Sequence, residues 1–305
     1  MLYKLSRFLR VLAALTLVAA RIPAICSATD CNTPETDTLV SLGPQTNRMR
    51  EILDAVAAGD VTPAEAEAAL QGYVTTDAGR FDAARTQRSG VPEAVLATGK
   101  TVEEVCTLSA ASLETTDSAI VTRLDEQTAD TVVDDIQGAH PTADVSYHER
   151  AQLLVAHAET FEPSSLEASV AVVTAGTAVA PPALEAALVI EEMGATVQRI
   201  DDVGVASIDR LLDQVGDLRD YDVLVVAAGR EAALPTVVAG LVDVPVIGLP
   251  VSSGYGFGGD GNAALAGMLQ SCTALSVVNV DAGFTAGAQA GLIARLLHRV
   301  RAGDA

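Results

Sequence analysis

The apolar positions change rhythm partway along the chain. After residue 168 they gather into short unbroken runs, SVAVVTAG, ATVQRI, DVLVVAAG, PVIGLP and LSVVNV, separated by stretches with helical spacing. Unbroken Val, Ile, Leu and Ala are what a strand buried on both faces requires, and helices between such strands cover the two faces through right-handed crossovers. The pattern predicts five βα units, with helices over 182–193, 208–218, from 232, over 263–269 and a long one ending near 300. The fold class expected is α/β: a doubly wound parallel sheet over 160–305, preceded by a smaller α+β domain over 49–150.

The earlier part is patterned differently. Helical spacing runs from Met49 to about Gly59 and again over 63–70, where Thr62, Pro63 and Glu65 supply an N-cap, a first helical position and a capping-box acid. A polar stretch, FDAARTQRSGVPEAVLATGKT, leads to a helix starting near Thr101 with Glu104 as its capping acid, and AIVTR at 119–123 reads as a strand. Residues 138–148, with Pro141 and few apolar side chains, read as the linker between two domains.

Charge sharpens the picture. The formal net charge is −21, and it is uneven: residues 1–48 carry five Lys/Arg against three Asp/Glu, whereas 49–305 carry fourteen against thirty-seven. Lys100 is the one lysine beyond Met49. A surface this acidic stays soluble at high ionic strength and repels polyanions, so a salt-adapted cytoplasm is expected, and neither nucleic acid nor an anionic membrane is expected as partner. Residues 1–48 imitate a secretory leader, with Lys4, Arg7 and Arg10 before the apolar run 11–20, but Arg21 interrupts its end. The alternative reading is an upstream start, with Met49 opening the protein proper. The apolar run is too short for a bilayer span. Beyond Met49, Cys106 and Cys272 are too far apart in sequence to suggest a disulfide framework or a zinc site.

In a doubly wound sheet, ligands sit outside the carboxyl ends of the strands. Thr174-Ala175-Gly176-Thr177 follows the first run, a small-residue turn that suits either an anion or tight packing. Gly229-Arg230-Glu231 follows the third, and a glutamate there serves as a base, a metal ligand or a first-turn acid. The fourth is followed by PVSSGYGFGGDG, with five glycines in positions 254–261, a density that suggests close backbone approach to a ligand or a mobile lid. Asn279, Asp281 and Gly283 follow the fifth. Cys272, just before that strand, is by itself more often a small core residue than a nucleophile. With no GxSxG, HExxH or CxxC motif and no Ser-His-Asp order, serine-hydrolase and zinc chemistry are disfavoured.

Several longer stretches are collinear with one family. They are FDAARTQRSGVPEAVLATGKT, Thr122-Arg123, DVGVASIDRLL, AGREAALPTVVAGLVDVPVIGLPVSSGYGFGG, MLQSC and VVNVDAGFTAG. Together they resemble the LarB-type family of nickel-pincer cofactor assembly, the pyridinium-3,5-biscarboxylic acid mononucleotide synthases. The catalytic domain of that family is flavodoxin-like and similar to PurE-type aminoimidazole ribonucleotide carboxylases.

The resemblance implies carboxylation of the pyridinium ring of nicotinate adenine dinucleotide, with hydrolysis of its pyrophosphate to release AMP. It places the nucleophile at Cys272 and the active-site acid at Glu231. It implies substrate contacts from Gly176, Thr177, Ser252, Ser253, Gly254, Gly256 and Asp281, and from Asp82, Arg85, Arg88, Lys100 and Arg123 of the N-terminal domain. The partners implied are the dinucleotide and carbon dioxide or bicarbonate, with magnesium on the phosphate oxygens, no organic cofactor, and a homo-oligomer such as an octamer. One departure stands out: where the family has a Ser-Asp pair after Gly-Thr, this chain has Ala178-Val179. The runner-up activities are an aminoimidazole ribonucleotide carboxylase or mutase of purine synthesis and a non-catalytic nucleotide-binding module.

Overall fold

A computed structural model describes residues 44–59, 66, 70, 72–176, 180–254 and 256–303, with the side chains of 44–48 and 180 excepted. Residues 1–43 of the leader-like segment, most of the expected helix over 63–70, Thr177, Ala178 and Val179 therefore lie outside the described residues. The chain from Ile52 onward forms one compact unit.

The first helix, α1 (Pro44–Ala58), begins ahead of Met49 and stops at Gly59, whose φ of 82° a helix cannot continue. A hairpin of β1 (Val74–Thr76) and β2 (Gly79–Phe81) follows, then α2 (Arg85–Ser89) and β3 (Val95–Leu96). The helix expected near Thr101 is α3 (Val102–Thr116). Its capping box is complete, Thr101 accepting from the Glu104 amide while the Glu104 carboxylate accepts from the Thr101 amide. The AIVTR run forms β4 (Ser118–Thr122), followed by α4 (Glu126–Ala139), β5 (Asp144–His148) and β6 (Leu153–His157). These strands make a four-stranded sheet in the order β3-β4-β6-β5, parallel at β3/β4 and antiparallel elsewhere.

The expected linker over 138–148 is corrected here. Residues 144–148 are the edge strand β5, whose outer positions face water, so the segment carries few apolar side chains although it is fully paired to β6. The N-terminal sheet thus runs on to His157, past the boundary drawn at residue 150, and the connecting segment is 158–168.

The second half alternates as its pattern predicts: β7 (Ser169–Thr174), α5 (Ala180–Glu192), β8 (Thr196–Ile200), α6 (Ile208–Leu212) and α7 (Val215–Leu218), β9 (Val223–Ala228), α8 (Ala233–Ala239), β10 (Val246–Pro250), α9 (Asn262–Leu269), β11 (Ser276–Val277) and α10 (Gly283–Ala302). The helix expected over 208–218 is broken into two short pieces, and the last strand, at one edge, pairs over two residues. All five strands are parallel, in the order β11-β10-β9-β7-β8.

Alternate residues of the central strands enter two separate cores. Val170, Val172, Val223, Val225 and Ala227 pack with α5 and α10, while Ala171, Val173, Leu224, Val226 and Ala228 pack with α6, α8 and α9. That two-sided burial is why the strands are apolar without interruption. The two sheets share a third cluster, in which Val91, Ile120, Leu153 and Val155 meet Val189, Met193 and Ala288.

Candidate active site at the carboxyl edge of the parallel sheet

The strand order reverses between β7 and β9, which lie side by side although β8 intervenes in sequence. At such a reversal the loops leaving the two strands diverge to opposite faces and leave a crevice. A cavity of about 260 Å³ occupies it, walled by Gly176, Gly204, Arg230, Glu231, Ser253 and Gly254. A second, of about 200 Å³, adjoins it across Ser253 and is walled by Arg123, Gln152, Glu185, Ser252 and Asp281. The described residues thus form two compartments of one cleft, with the Pro250–Gly254 turn as the ridge between them.

The backbone here is unusually taut. Non-glycine residues with left-handed φ gather around this edge: Arg123 (57°) after β4, Asp202 (62°) after β8, Arg230 (51°) and Ala232 (50°) after β9, and Asp281 (54°) after β11. Each such residue costs of order 1 kcal/mol or more and persists only where its surroundings over-determine it. Thr174, buried at the end of β7, supplies part of that: its hydroxyl donates to Asp201 Oδ1 at 3.0 Å and accepts from the Asp202 amide at 3.3 Å. Arg210 then pairs with Asp202 at 2.7 Å. Gly254 passes so close to β9 that a Cβ on it would lie 2.6 Å from the Arg230 amide nitrogen, so no other residue fits there unshifted.

Glu231 stands on the cavity wall with its carboxylate largely in solvent, 3.9 Å from the Arg230 guanidinium. Asp281 accepts from the Ser252 amide at 2.9 Å and receives the Arg123 guanidinium on its backbone carbonyl. Behind them lies Glu185, which sequence reasoning did not single out. Its carboxylate accepts from the Thr122 hydroxyl and lies 4.0 Å from Arg123 Nε. Burial pushes its carboxyl above the usual range, opposed by the Thr122 hydroxyl and by Arg123. Arg230 and Asp202 were also missed as site residues; their φ values, which sequence does not print, were the signal.

The structure therefore brings Gly176, Ser252, Ser253, Gly254, Asp281, Arg123 and Glu231 to one edge. Gly256 follows in the same loop, exposed at φ 93°. Other expected residues lie elsewhere in the single chain. Asp82 pairs with Arg88, and Arg85 with Glu93 at 2.6 Å. Asp82 and Glu93 line a different cavity, of about 360 Å³, together with Ser164 and Met193, which precede β7 and β8 and so mark the opposite, amino edge of the sheet. Lys100 donates to the Leu96 carbonyl at 2.9 Å. Cys272 is exposed in the turn between α9 and β11 and is not among the residues lining the four described cavities. The helix α9 leads towards it from the site: Gly267 lies against the Glu231 carbonyl, 2.5 Å from where its Cβ would be, and Thr273 donates to the Thr236 carbonyl at 3.4 Å. Among the described residues, no group of three or more His, Cys, Asp or Glu side chains is placed to hold a metal ion. No described helix is long and apolar enough to cross a membrane.

Comparison with known proteins fits this geometry. Residues 73–159 match the LarB/PurE-like N-terminal domain, and residues 169–302 match the AIR carboxylase domain. An uncharacterized protein of Methanocaldococcus jannaschii is 34% identical over 258 residues, spanning 82% of this chain and 98% of the relative. The chain belongs to the LarB-type family. Its two matched domains are those of a carboxylase-type enzyme, LarB-like or PurE-like. In LarB-type terms, the match to the AIR carboxylase domain covers both compartments except Arg123, Ala151 and Gln152, which the N-terminal domain contributes.

Proposed function

We propose that this LarB-type chain carboxylates the pyridinium ring of nicotinate adenine dinucleotide and hydrolyses its pyrophosphate, releasing AMP, as a step of nickel-pincer cofactor biosynthesis. The observation that carries the reading is the two-compartment cleft at the β7/β9 reversal, which offers a long anionic substrate the Arg123 and Arg230 guanidiniums and closely approaching backbone. The N-terminal domain match favours it over the purine enzyme, because Arg123, Ala151 and Gln152 of that domain wall the second compartment.

The chemistry follows from the electronics of the ring. A pyridinium carbon is electron-poor and cannot attack carbon dioxide. Addition of the Cys272 thiolate forms a C–S bond and turns the ring into an electron-rich dihydropyridine, whose neighbouring carbon attacks carbon dioxide to form the C–C bond. Loss of that carbon's proton, taken by Glu231, and expulsion of the thiolate restore aromaticity, so one hard step becomes several easier ones. A thiolate suits both roles, as nucleophile and as leaving group. One ring has to meet both groups; Gly267 of α9 lies against the Glu231 carbonyl, and Cys272 follows in the turn just after that helix ends. Water then cleaves the phosphoanhydride; the Ala178-Val179 departure from the family's Ser-Asp pair bears on this half.

The test incubates the full chain with nicotinate adenine dinucleotide, bicarbonate and magnesium, and follows protein and small molecules by mass spectrometry. We expect AMP and a mononucleotide heavier by one carboxyl group. Cys272→Ala should abolish both, and Glu231→Gln should lower the rate by about 10²-fold or more. Turnover of aminoimidazole ribonucleotide instead would establish the purine reading. Binding of the dinucleotide that survives Cys272→Ala, without turnover by the unmutated protein, would establish a binding module.

A further inference from the structure

Glu185 is 3% exposed, sits in the middle of α5, and has a role in none of the steps above. Its partners belong to three other places in the fold. The hydroxyl of Thr122 donates to it from the end of β4, the amide of Phe284 in the first turn of α10 favours its charged form, and Arg123 Nε faces it at 4.0 Å from the loop after β4. The start of α10 is pressed against it: a Cβ on Gly283 would lie 2.5 Å from Glu185 Oε2 and 2.3 Å from the Pro182 carbonyl oxygen. No side chain of α10's own N-cap, Ala282, does this work. An acid at a helix N-terminus is favourable by itself, but a serine or asparagine would cap as well without burying a charge. The charge answers to Arg123.

Arg123 in turn holds the other wall. Its φ is 57°, its guanidinium donates to the Asp281 carbonyl, and the Asp281 carboxylate fixes the Ser252 amide at 2.9 Å. From Thr122 through Glu185, Arg123 and Asp281 to Ser252, the chain of contacts crosses from the N-terminal domain to the ridge that divides the cleft. We propose that Glu185 is a positioning residue: it fixes the Arg123 guanidinium across the domain junction, so that its remaining N–H groups meet an anionic group of the substrate in the compartment between Gln152 and Ser253. The functional half of this rests on the dinucleotide reading above. The structural half, that Glu185 restrains Arg123, does not.

Two measurements on the full chain separate them. The first is phenylglyoxal labelling of Arg123, followed by peptide mass spectrometry, with Arg219, which donates to the Leu241 carbonyl far from the site, as internal reference. Glu185→Gln is expected to speed labelling of Arg123 about fivefold or more while Arg219 changes less than about twofold, a local release rather than a loss of fold. Should Glu185→Gln not fold, Thr122→Val, which removes a donor to Glu185 and leaves Arg123 in place, is expected to speed labelling about two- to threefold. An unchanged Arg123 rate in a folded variant overturns the proposal.

The second is kinetic. Glu185→Gln should raise KM for the dinucleotide about tenfold with kcat within about threefold, Glu185→Asp should recover part of the loss, and Glu185→Gln added to Arg123→Ala should cost nothing further. Equal losses in both backgrounds, or a fall in kcat alone, would mean that Glu185 does not act through Arg123. If the unmutated protein neither binds nor turns over the dinucleotide, the functional reading falls, while the labelling result still decides whether Glu185 restrains Arg123.

Discussion

Two cysteines with the same side chain sit in opposite circumstances. Cys106 packs at the edge of the N-terminal core beside Asp135, and burial, reinforced by that carboxylate, pushes its thiol up to about 11. Cys272 is in solvent. Since the thiolate is the reactive form, iodoacetamide at pH 8 should modify Cys272 about tenfold faster than Cys106, read on the two peptides by mass spectrometry. Equal rates would mean that burial does not separate the two thiols. At this scale the sequence was informative in unequal measure. Thr101 and Glu104 announce their capping box because both partners lie within one turn. Glu185 announces nothing: in PPALEAALVIEE it looks like any glutamate on a solvent face, and only the packing of α10 and β4 against α5 buries it.

Elements were legible where burial is two-sided and obscure where it is one-sided. The central strands β7, β9 and β10 stand out because every side chain is inside, whereas β5, paired on one edge only, reads as a polar linker. The tightest helix contact follows the same logic. Gly283, Gly287 and Gly291 fall four apart on α10 and put its backbone directly on α5. A Cβ on Gly287 would lie 2.6 Å from the Ala186 carbonyl oxygen and 2.9 Å from Val189 Cβ, neither of which is the far end of a flexible side chain. Gly287→Ala should therefore destabilise by about 1–3 kcal/mol despite alanine's better helix propensity. Gly138, in α4 with nothing within 4 Å of its absent Cβ, is the control, and Gly138→Ala should stabilise by up to about 1 kcal/mol. Denaturant midpoints of the two variants moving in the same direction would contradict the close-approach account.

For the whole molecule the governing quantity is charge. From residue 49 onward acids outnumber Lys/Arg thirty-seven to fourteen, so most carboxylates have no basic partner and repel one another when the chain is compact. Ion pairs such as Arg85–Glu93, Arg210–Asp202 and Arg301–Asp222 act the other way, but they are partly exposed and each contributes little. Salt screens both. The Debye length falls from about 10 Å at 0.1 M to about 3 Å at 1 M, which removes the many long-range repulsions and leaves the few contacts at hydrogen-bond distance less affected. The balance favours the folded state at high salt. Thermal unfolding of the full chain in potassium chloride should show Tm rising steadily between 0.1 and 2 M. A Tm that falls over that range would mean that the paired residues, rather than the surplus carboxylates, set the electrostatics of this fold.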